Sequence, residues 1–148
     1  MIKRFLARLL HIENSFQKHT QIIDSSQTAA LFFRKIWNKE LLDFQEEVYV
    51  IFIDDDSQTL GHARLHAGGT NKCYIDLAVL FKFAYKYKAS GIFIAHNHPK
   101  GSLKPSKYDI DVTYKIRKMC NELGFHFMDH IIITPKSYFS FSQSGLLD

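Results

Sequence analysis

The sequence predicts a single mixed α/β domain, an α+β arrangement in which helices flank one mixed sheet. Its 148 residues suffice for one hydrophobic core. With 46% hydrophobic and 23% charged residues, the composition is that of a soluble globular domain, which excludes intrinsic disorder, collagen-like repeats and a multi-domain assembly. Stretches with helical spacing of apolar residues alternate with short β-branched and aromatic runs. These three observations predict the element order αββαβαββ.

The first half of the chain predicts a helix followed by a hairpin. Ser25-Ser26 is a helix cap, and apolar residues at helical spacing continue the helix to about Asn38. A strand from Glu46 to Ile53 is apolar on both faces, which favours a central position in the sheet. An acidic turn at 54–57 then leads into a second strand through about His66, and Gly68-Gly69 interrupts the chain.

The second half predicts two helices that alternate with strands. The helices are Ile75–Lys88, apolar nearly all round, and Ser106–Leu123, ending at Gly124. The strands are Ile92–Ala95, Phe125–Thr134 and Tyr138–Phe141, with a loop from His96 to Pro105.

We expect one domain over residues 23–148, after a segment of uncertain structure at residues 1–22. The basic N-terminus lacks the apolar run and cleavage site of a signal peptide. No stretch approaches the ~18 apolar residues of a membrane span. Cys73 and Cys120 cannot build a disulfide scaffold, and Cys120 is predicted to be a buried thiol on the last helix. These features predict a cytoplasmic protein without membrane contact.

The formal charge of +4 is concentrated in one segment. Residues 91–120 contain six Lys or Arg against two Asp. A basic balance can indicate nucleic acid or acidic substrates as partners, but a solvated surface is the favoured explanation for a charge of this size. The excess surrounds the strongest motif of the chain, which favours substrate steering over a DNA-binding surface.

Two histidines at the end of the third predicted strand carry the first chemical signal. His96 and His98 are two residues apart, so both imidazoles leave the strand on the same side and can reach one ion. Pro99 restricts the backbone after them. A catalytic Zn²⁺ takes three N or O ligands from the protein and leaves one position for water, so a third ligand is needed.

The helix that follows offers this ligand. Val112, Ile116, Met119, Cys120 and Leu123 form its predicted apolar stripe, and Asp109 heads that stripe in the first turn. Asp111 instead lies with the lysines on the solvated face. Burial of a carboxylate without a partner is costly, and a metal supplies the partner. Asp109 is therefore the predicted third ligand, although Ser106-x-x-Asp109 also fits a capping box.

The full pattern, His96-x-His98-Pro99, six residues, Ser106, two residues, Asp109, resembles the JAMM (JAB/MPN+) metalloprotease motif. Together with Asp129-His130-Ile131-Ile132 and Ser140-Phe141, it is similar to the RadC branch of that superfamily. Lys100 departs from the serine usual after the proline there. The resemblance covers roughly residues 25–147 and implies a JAMM/MPN-like, cytidine-deaminase-like fold. RadC proteins usually carry an N-terminal helix-hairpin-helix module, for which these 148 residues leave no room. We therefore expect a short, stand-alone form without that module.

The resemblance also implies a mechanism. One Zn²⁺ would be held by His96, His98 and Asp109, with a glutamate upstream as general base and Ser106 as hydrogen-bond donor to the oxyanion. Glu46 fits the family pattern at the start of the first strand, but strand alternation alone leaves Glu47 open as the base.

The implied activity is zinc-dependent hydrolysis of a peptide or isopeptide amide in a peptide or protein substrate. Alternative hypotheses are a nucleic-acid-associated protein of DNA repair, which is not favoured, and a zinc-binding module without turnover. His130 is interpreted as a structural histidine, with support of a metal ligand, but not metal binding itself, as the alternative role. His11, His19, His62, His66 and His126 do not pair with the motif.

Overall fold

A computed structural model describes residues 20–67 and 74–148, together with Ile2, Lys3, Leu6 and Ala7. It contains helices α1 (Ser26–Ile36), α2 (Leu77–Lys86) and α3 (Lys107–Leu123), and strands β1 (Glu47–Ile53), β2 (Thr59–Ala67), β3 (Gly91–Asn97), β4 (His126–Ile133) and β5 (Tyr138–Ser140). The predicted glycine break at 68–69, Cys73, His11, His19 and most of the N-terminal segment lie outside the described residues.

The five strands form one mixed sheet in the order β2-β1-β3-β4-β5. The β3–β4 pair is parallel, and the other pairs are antiparallel. The predicted fold class, a mixed sheet flanked by helices, is confirmed. The predicted central position of β1 is confirmed as well, because this strand lies between β2 and β3 and is buried along its whole length.

Strand alternation divides the core into two layers. On one face of the sheet, Val48, Val50 and Phe52 of β1 pack with α2 and α3. On the other face, Tyr49, Ile51 and Ile53 pack with α1. We call these the α2/α3 face and the α1 face. Because consecutive side chains of a strand point to opposite faces of the sheet, polar side chains at the end of the sheet can meet only when they lie on the same face.

Most predicted boundaries differ from the structure by one or two residues. The largest consequence concerns β3, which continues through Asn97, so His96 lies in the strand and not in the predicted loop. Helix α2 is shorter than predicted at both ends, since Asp76 caps it by accepting a hydrogen bond from the Val79 amide. Leu123, predicted to lie on the buried stripe of α3, is exposed because it is the last residue of that helix.

Among the described residues, none of the helices has the length and apolar character needed to cross a membrane. Cys120 is completely buried, as predicted, and burial raises the pKa of its thiol to about 12.

Candidate metal centre

Three parts of the fold converge at one end of the sheet. Strands β1 and β3 run antiparallel with Val48 opposite His96, so the end of β3 lies beside the start of β1. Glu46 precedes Val48 by two residues and is therefore level with His98. Helix α3 begins beside the same end and contributes Asp109 from its first turn. The structure thus brings together all the residues that the sequence predicts as ligands and general base.

The donor atoms of these residues lie close to one another. His96 Nε2 is 2.9 Å from His98 Nε2. Asp109 Oδ1 lies 3.3 Å from His96 Nε2, and Asp109 Oδ2 lies 3.5 Å from His98 Nε2. A carboxylate oxygen of Glu46 also lies within 4.8 Å of both histidine donor atoms. Two imidazoles are therefore accompanied by two carboxylates, of which Asp109 contacts both rings directly.

His98 is oriented by the loop that follows it. Its Nδ1–H donates to the carbonyl of Ser102 at 2.8 Å, because a carbonyl oxygen can only accept. The Gly101 amide closes a turn onto the His98 carbonyl at 2.8 Å, and its φ of +79° favours glycine at this position. With the hydrogen on Nδ1, the Nε2 lone pair of neutral His98 faces the cluster.

Asp109 is held by the helix cap. The Ser106 amide donates to Asp109 Oδ2 at 2.7 Å, and the Asp109 amide donates to Ser106 Oγ at 3.1 Å. The capping box predicted as an alternative role is therefore formed, together with the approach of Asp109 to the histidines. Asp111 is exposed and pairs with Lys107, as predicted for the solvated face.

The electrostatics of the cluster favour a negative Asp109. Burial opposes ionisation of this carboxyl, but hydrogen bonds from protonated His96 and His98, the positive charge of His96 and a hydrogen bond from the Ser106 side chain together lower its pKa strongly. The hydrogen bond to Asp109 raises the pKa of His98, which outweighs the effect of burial; the Ser102 carbonyl and the charges of Asp109 and Glu46 act in the same direction. Asp109 is therefore negatively charged, and its charge favours a cation beside it, either a proton on the His98 ring or a metal ion that replaces this proton.

The two glutamates point to different faces of the sheet. Glu47 shares the α1 face with Tyr49, is completely buried and pairs with Arg64 at 3.0 Å. Glu46 shares its parity with Val48 and reaches the histidines on the α2/α3 face. Glu47 is thus occupied in a structural ion pair, and Glu46 is the glutamate beside the candidate metal ligands.

Asn97, the middle residue of the His-x-His motif, holds Glu46 in place. Its Oδ1 accepts from the Glu47 amide at 2.7 Å, and its Nδ2 donates to the carbonyls of Leu42 and Gln45 at 2.7 and 2.8 Å. These bonds bracket Glu46 on both sides along the chain. This role of Asn97 was not predicted from the sequence, although a polar residue between two predicted ligands at the end of a strand was a signal for it.

His130 contacts His96 directly, as expected from its alternative role as a support for a metal ligand. Its Nε2 lies 2.7 Å from Nδ1 of His96, and its Nδ1 lies 2.5 Å from Oγ1 of Thr113. The parallel β3–β4 register brings His130 to the face of His96, a pairing that the sequence does not reveal. Thr113 was also missed, although its position four residues after Asp109 puts both on one side of the helix.

His62 and His126 lie away from the cluster. His62 is buried on the α1 side, where its ring contacts Phe32 edge-on at 5.7 Å. His126 is exposed at the far end of β4. Within the described part of the chain, the side chains of Glu46, His96 and His98 form a group that could hold a metal ion, because their donor atoms lie within 4.8 Å of one another.

The donor set fits a divalent metal ion. Two imidazole nitrogens and a carboxylate oxygen are the ligand types of catalytic zinc sites. Ligands of a tetrahedral zinc are separated by roughly 3.3 Å when each lies about 2.0–2.1 Å from the ion. The separations of 2.9, 3.3 and 3.5 Å among His96, His98 and Asp109 are close to that value. The roles of these residues as ligands, and of Glu46 and Ser106 in catalysis, stay predictions.

The sequence of this chain is similar to those of known bacterial proteins. The family model described as RadC-like JAB domain matches residues 22–146. A UPF0758 protein of Porphyromonas gingivalis is 36% identical over 104 residues, which cover 70% of this chain and 46% of that protein. A UPF0758 protein of Streptococcus agalactiae serotype Ia is 30% identical over 140 residues, which cover 95% of this chain and 60% of that protein. The chain therefore spans about half the length of these curated relatives, and it belongs to the RadC-like JAB domain family.

Proposed function

We propose that this protein is a zinc-dependent metallohydrolase that cleaves a peptide or isopeptide amide bond. The observation that carries the proposal is the convergence of His96, His98 and Asp109 beside Glu46 at one end of the sheet. Membership of the RadC-like JAB domain family supports it, as does the resemblance of the motif at His96, His98, Ser106 and Asp109 to that of JAMM metalloproteases.

A zinc ion held by His96, His98 and Asp109 would polarise the scissile carbonyl and lower the pKa of the attacking water toward about 7. Glu46 then removes a proton from this water and delivers it to the leaving amine. The partly buried position of Glu46 beside both histidines supports this role. Asp109 and the two histidines act as fixed ligands, because Asp109 is tied to the helix cap and His98 to the Ser102 carbonyl.

Ser106 is proposed as the hydrogen-bond donor to the tetrahedral oxyanion. Its Oγ accepts from the Asp109 amide, and its single hydroxyl hydrogen is the one that it would donate to a substrate. Ser106 is exposed, so a substrate carbonyl can reach it. A donor of this kind contributes about 3–4 kcal/mol to catalysis in enzymes where it has been removed.

Acidic peptides are the proposed substrate class. Lys100 and Lys104 are exposed in the loop that joins His98 to Ser106. Positive charge around a cleft raises the encounter rate with acidic ligands and loses this effect at high salt.

Metal analysis of purified protein tests the proposal. We expect the wild type to retain one equivalent of zinc and His98→Ala to lose it. His126→Ala is the matched control, because it removes an exposed imidazole outside the centre and leaves zinc bound. Unchanged zinc content in His98→Ala would remove the basis of the proposed function.

A further inference from the structure

The ring of His96 is hydrogen-bonded on the side away from the candidate metal. His96 Nδ1 lies 2.7 Å from His130 Nε2, and His130 Nδ1 lies 2.5 Å from Thr113 Oγ1. Thr113 Oγ1 lies 2.5 Å from the main-chain carbonyl of Asp109, one helical turn earlier. These contacts connect the ring of His96 to the backbone of Asp109 through His130 and Thr113, neither of which is a proposed metal ligand.

The chemistry at the Thr113 end determines where each hydrogen lies. The Asp109 carbonyl can only accept, so the single hydroxyl hydrogen of Thr113 points to it. Thr113 Oγ1 must then accept from Nδ1–H of His130. The opposite assignment would leave two oxygens 2.5 Å apart with no hydrogen between them.

The remaining bond follows from the burial of His130. Its exposed fraction is 1%, and its ring stacks on Phe141 at 4.8 Å, so an imidazolium would be costly at this place. A neutral His130 that carries its hydrogen on Nδ1 has a lone pair on Nε2. His96 Nδ1–H donates to that lone pair, so a neutral His96 has no hydrogen on Nε2, which lies 3.3 Å from Asp109 Oδ1 and 2.9 Å from His98 Nε2.

We propose that Thr113 and His130 are positioning residues that select the Nδ1–H tautomer of His96 and so present its Nε2 lone pair to the metal. The effect on metal binding rests on the proposed function, whereas the tautomer itself does not. A backbone carbonyl favours the same tautomer in His98, whereas the side chains of His130 and Thr113 favour it in His96.

The variants Thr113→Val and Thr113→Ser separate the hydroxyl from the rest of the side chain. Valine keeps the shape of Thr113, which is 2% exposed, but removes the acceptor for His130 Nδ1–H. His130 then favours a hydrogen on Nε2, which donates to His96 and shifts the His96 hydrogen to the metal-facing nitrogen. Serine keeps the hydroxyl and serves as the matched control.

The first measurement is the ¹⁵N NMR spectrum of the histidine rings in metal-free protein at pH 8, with the His96 signals assigned by their loss in His96→Gln. We expect an Nδ1–H His96 in the wild type and in Thr113→Ser, and an Nε2–H His96 in Thr113→Val. An Nε2–H His96 in the wild type would overturn the inference, and this result does not depend on how well the valine variant folds.

The second measurement is zinc affinity by competition with a chromophoric chelator. Loss of partners that orient metal ligands weakens binding about 10- to 100-fold, which is the expectation for Thr113→Val, while Thr113→Ser stays close to the wild type. Equal affinities of the wild type and Thr113→Val would contradict the inference and leave the proposed function intact. A wild type that binds no zinc would instead refute the proposed function, and the spectrum would still decide the tautomer.

Discussion

Replacement of each neighbouring glutamate by glutamine separates catalysis from stability. Glu46 is partly buried beside the histidines, whereas Glu47 is completely buried and pairs with Arg64 on the opposite face of the sheet. Both substitutions keep the size of the side chain and remove its charge. We expect Glu46→Gln to inactivate a stable protein and Glu47→Gln to destabilise an active one.

The magnitudes follow from these surroundings. Removal of a general base typically costs 10²- to 10⁴-fold in rate, which we expect for Glu46→Gln together with unchanged zinc content. In Glu47→Gln, the amide oxygen still accepts from Arg64, but the amide nitrogen takes the place of Oε2, which has no hydrogen-bond partner among the described residues. Hydrogen bonds to charged groups contribute about 1.5–3 kcal/mol, and part of this is retained, so we expect a loss of about 1–2 kcal/mol.

Two assays measure the effects. Cleavage of an acidic peptide library, followed by mass spectrometry, measures the hydrolytic rate. Thermal unfolding measures stability, and about 1–2 kcal/mol corresponds to a Tm lowered by roughly 2–8 °C in a domain of this size. Equal hydrolysis by the wild type and Glu46→Gln would refute the assignment of the base. Loss of hydrolysis in Glu47→Gln with retained activity in Glu46→Gln would transfer the role to Glu47.

Three further predictions concern the same end of the sheet. Asp109→Asn should weaken zinc binding by more than about 100-fold, because loss of a residue that only orients a ligand already weakens binding by up to about 100-fold. Asp111 is exposed, so Asp111→Asn is the control and should bind zinc like the wild type in the same titration. Because the pKa of His98 is raised and zinc requires the neutral ring, zinc affinity should fall with decreasing pH, starting above pH 6.5. The folding stability of the metal-free protein should change in the opposite direction. The contribution of His98 to this stability is present below pH 6.5 and is lost as the pH rises through the raised pKa. A pH-independent zinc Kd between pH 8 and 6 would contradict this prediction. Asn97→Ala removes the partners of one amide and two carbonyls, so the free energy of unfolding in urea should fall by at least about 2 kcal/mol; a change below 0.5 kcal/mol would show that these bonds do not hold the segment before β1.

Asp129 illustrates how a polar residue of the motif serves the fold rather than the centre. Its carboxylate accepts from the Ser140 hydroxyl at 2.5 Å and from the Ser142 amide at 2.9 Å, which joins β4 to β5 and the turn after it. Burial raises the pKa of this carboxyl against the effect of these bonds. The Asp-His pair at 129–130 thus directs one side chain to each face of the sheet.

The sequence alone determined the element order, the central position of β1 and the choice between Asp109 and Asp111. These conclusions follow from local periodicity: alternation identifies a strand buried on both faces, and helical spacing identifies the side of α3 that faces the core. The cap at Ser106 could also be read locally, because the bond joins residues only three positions apart.

The tertiary structure decided the questions that depend on register between distant segments. Glu46 and Glu47 both alternate with apolar residues, and only the pairing of Val48 with His96 and the two separate cores distinguish them. The contact of His130 with His96 likewise depends on a parallel register between strands separated by helix α3. A period of two specifies which residues share a face of a strand but not which face lies against which helix, and this information exists only in the folded sheet.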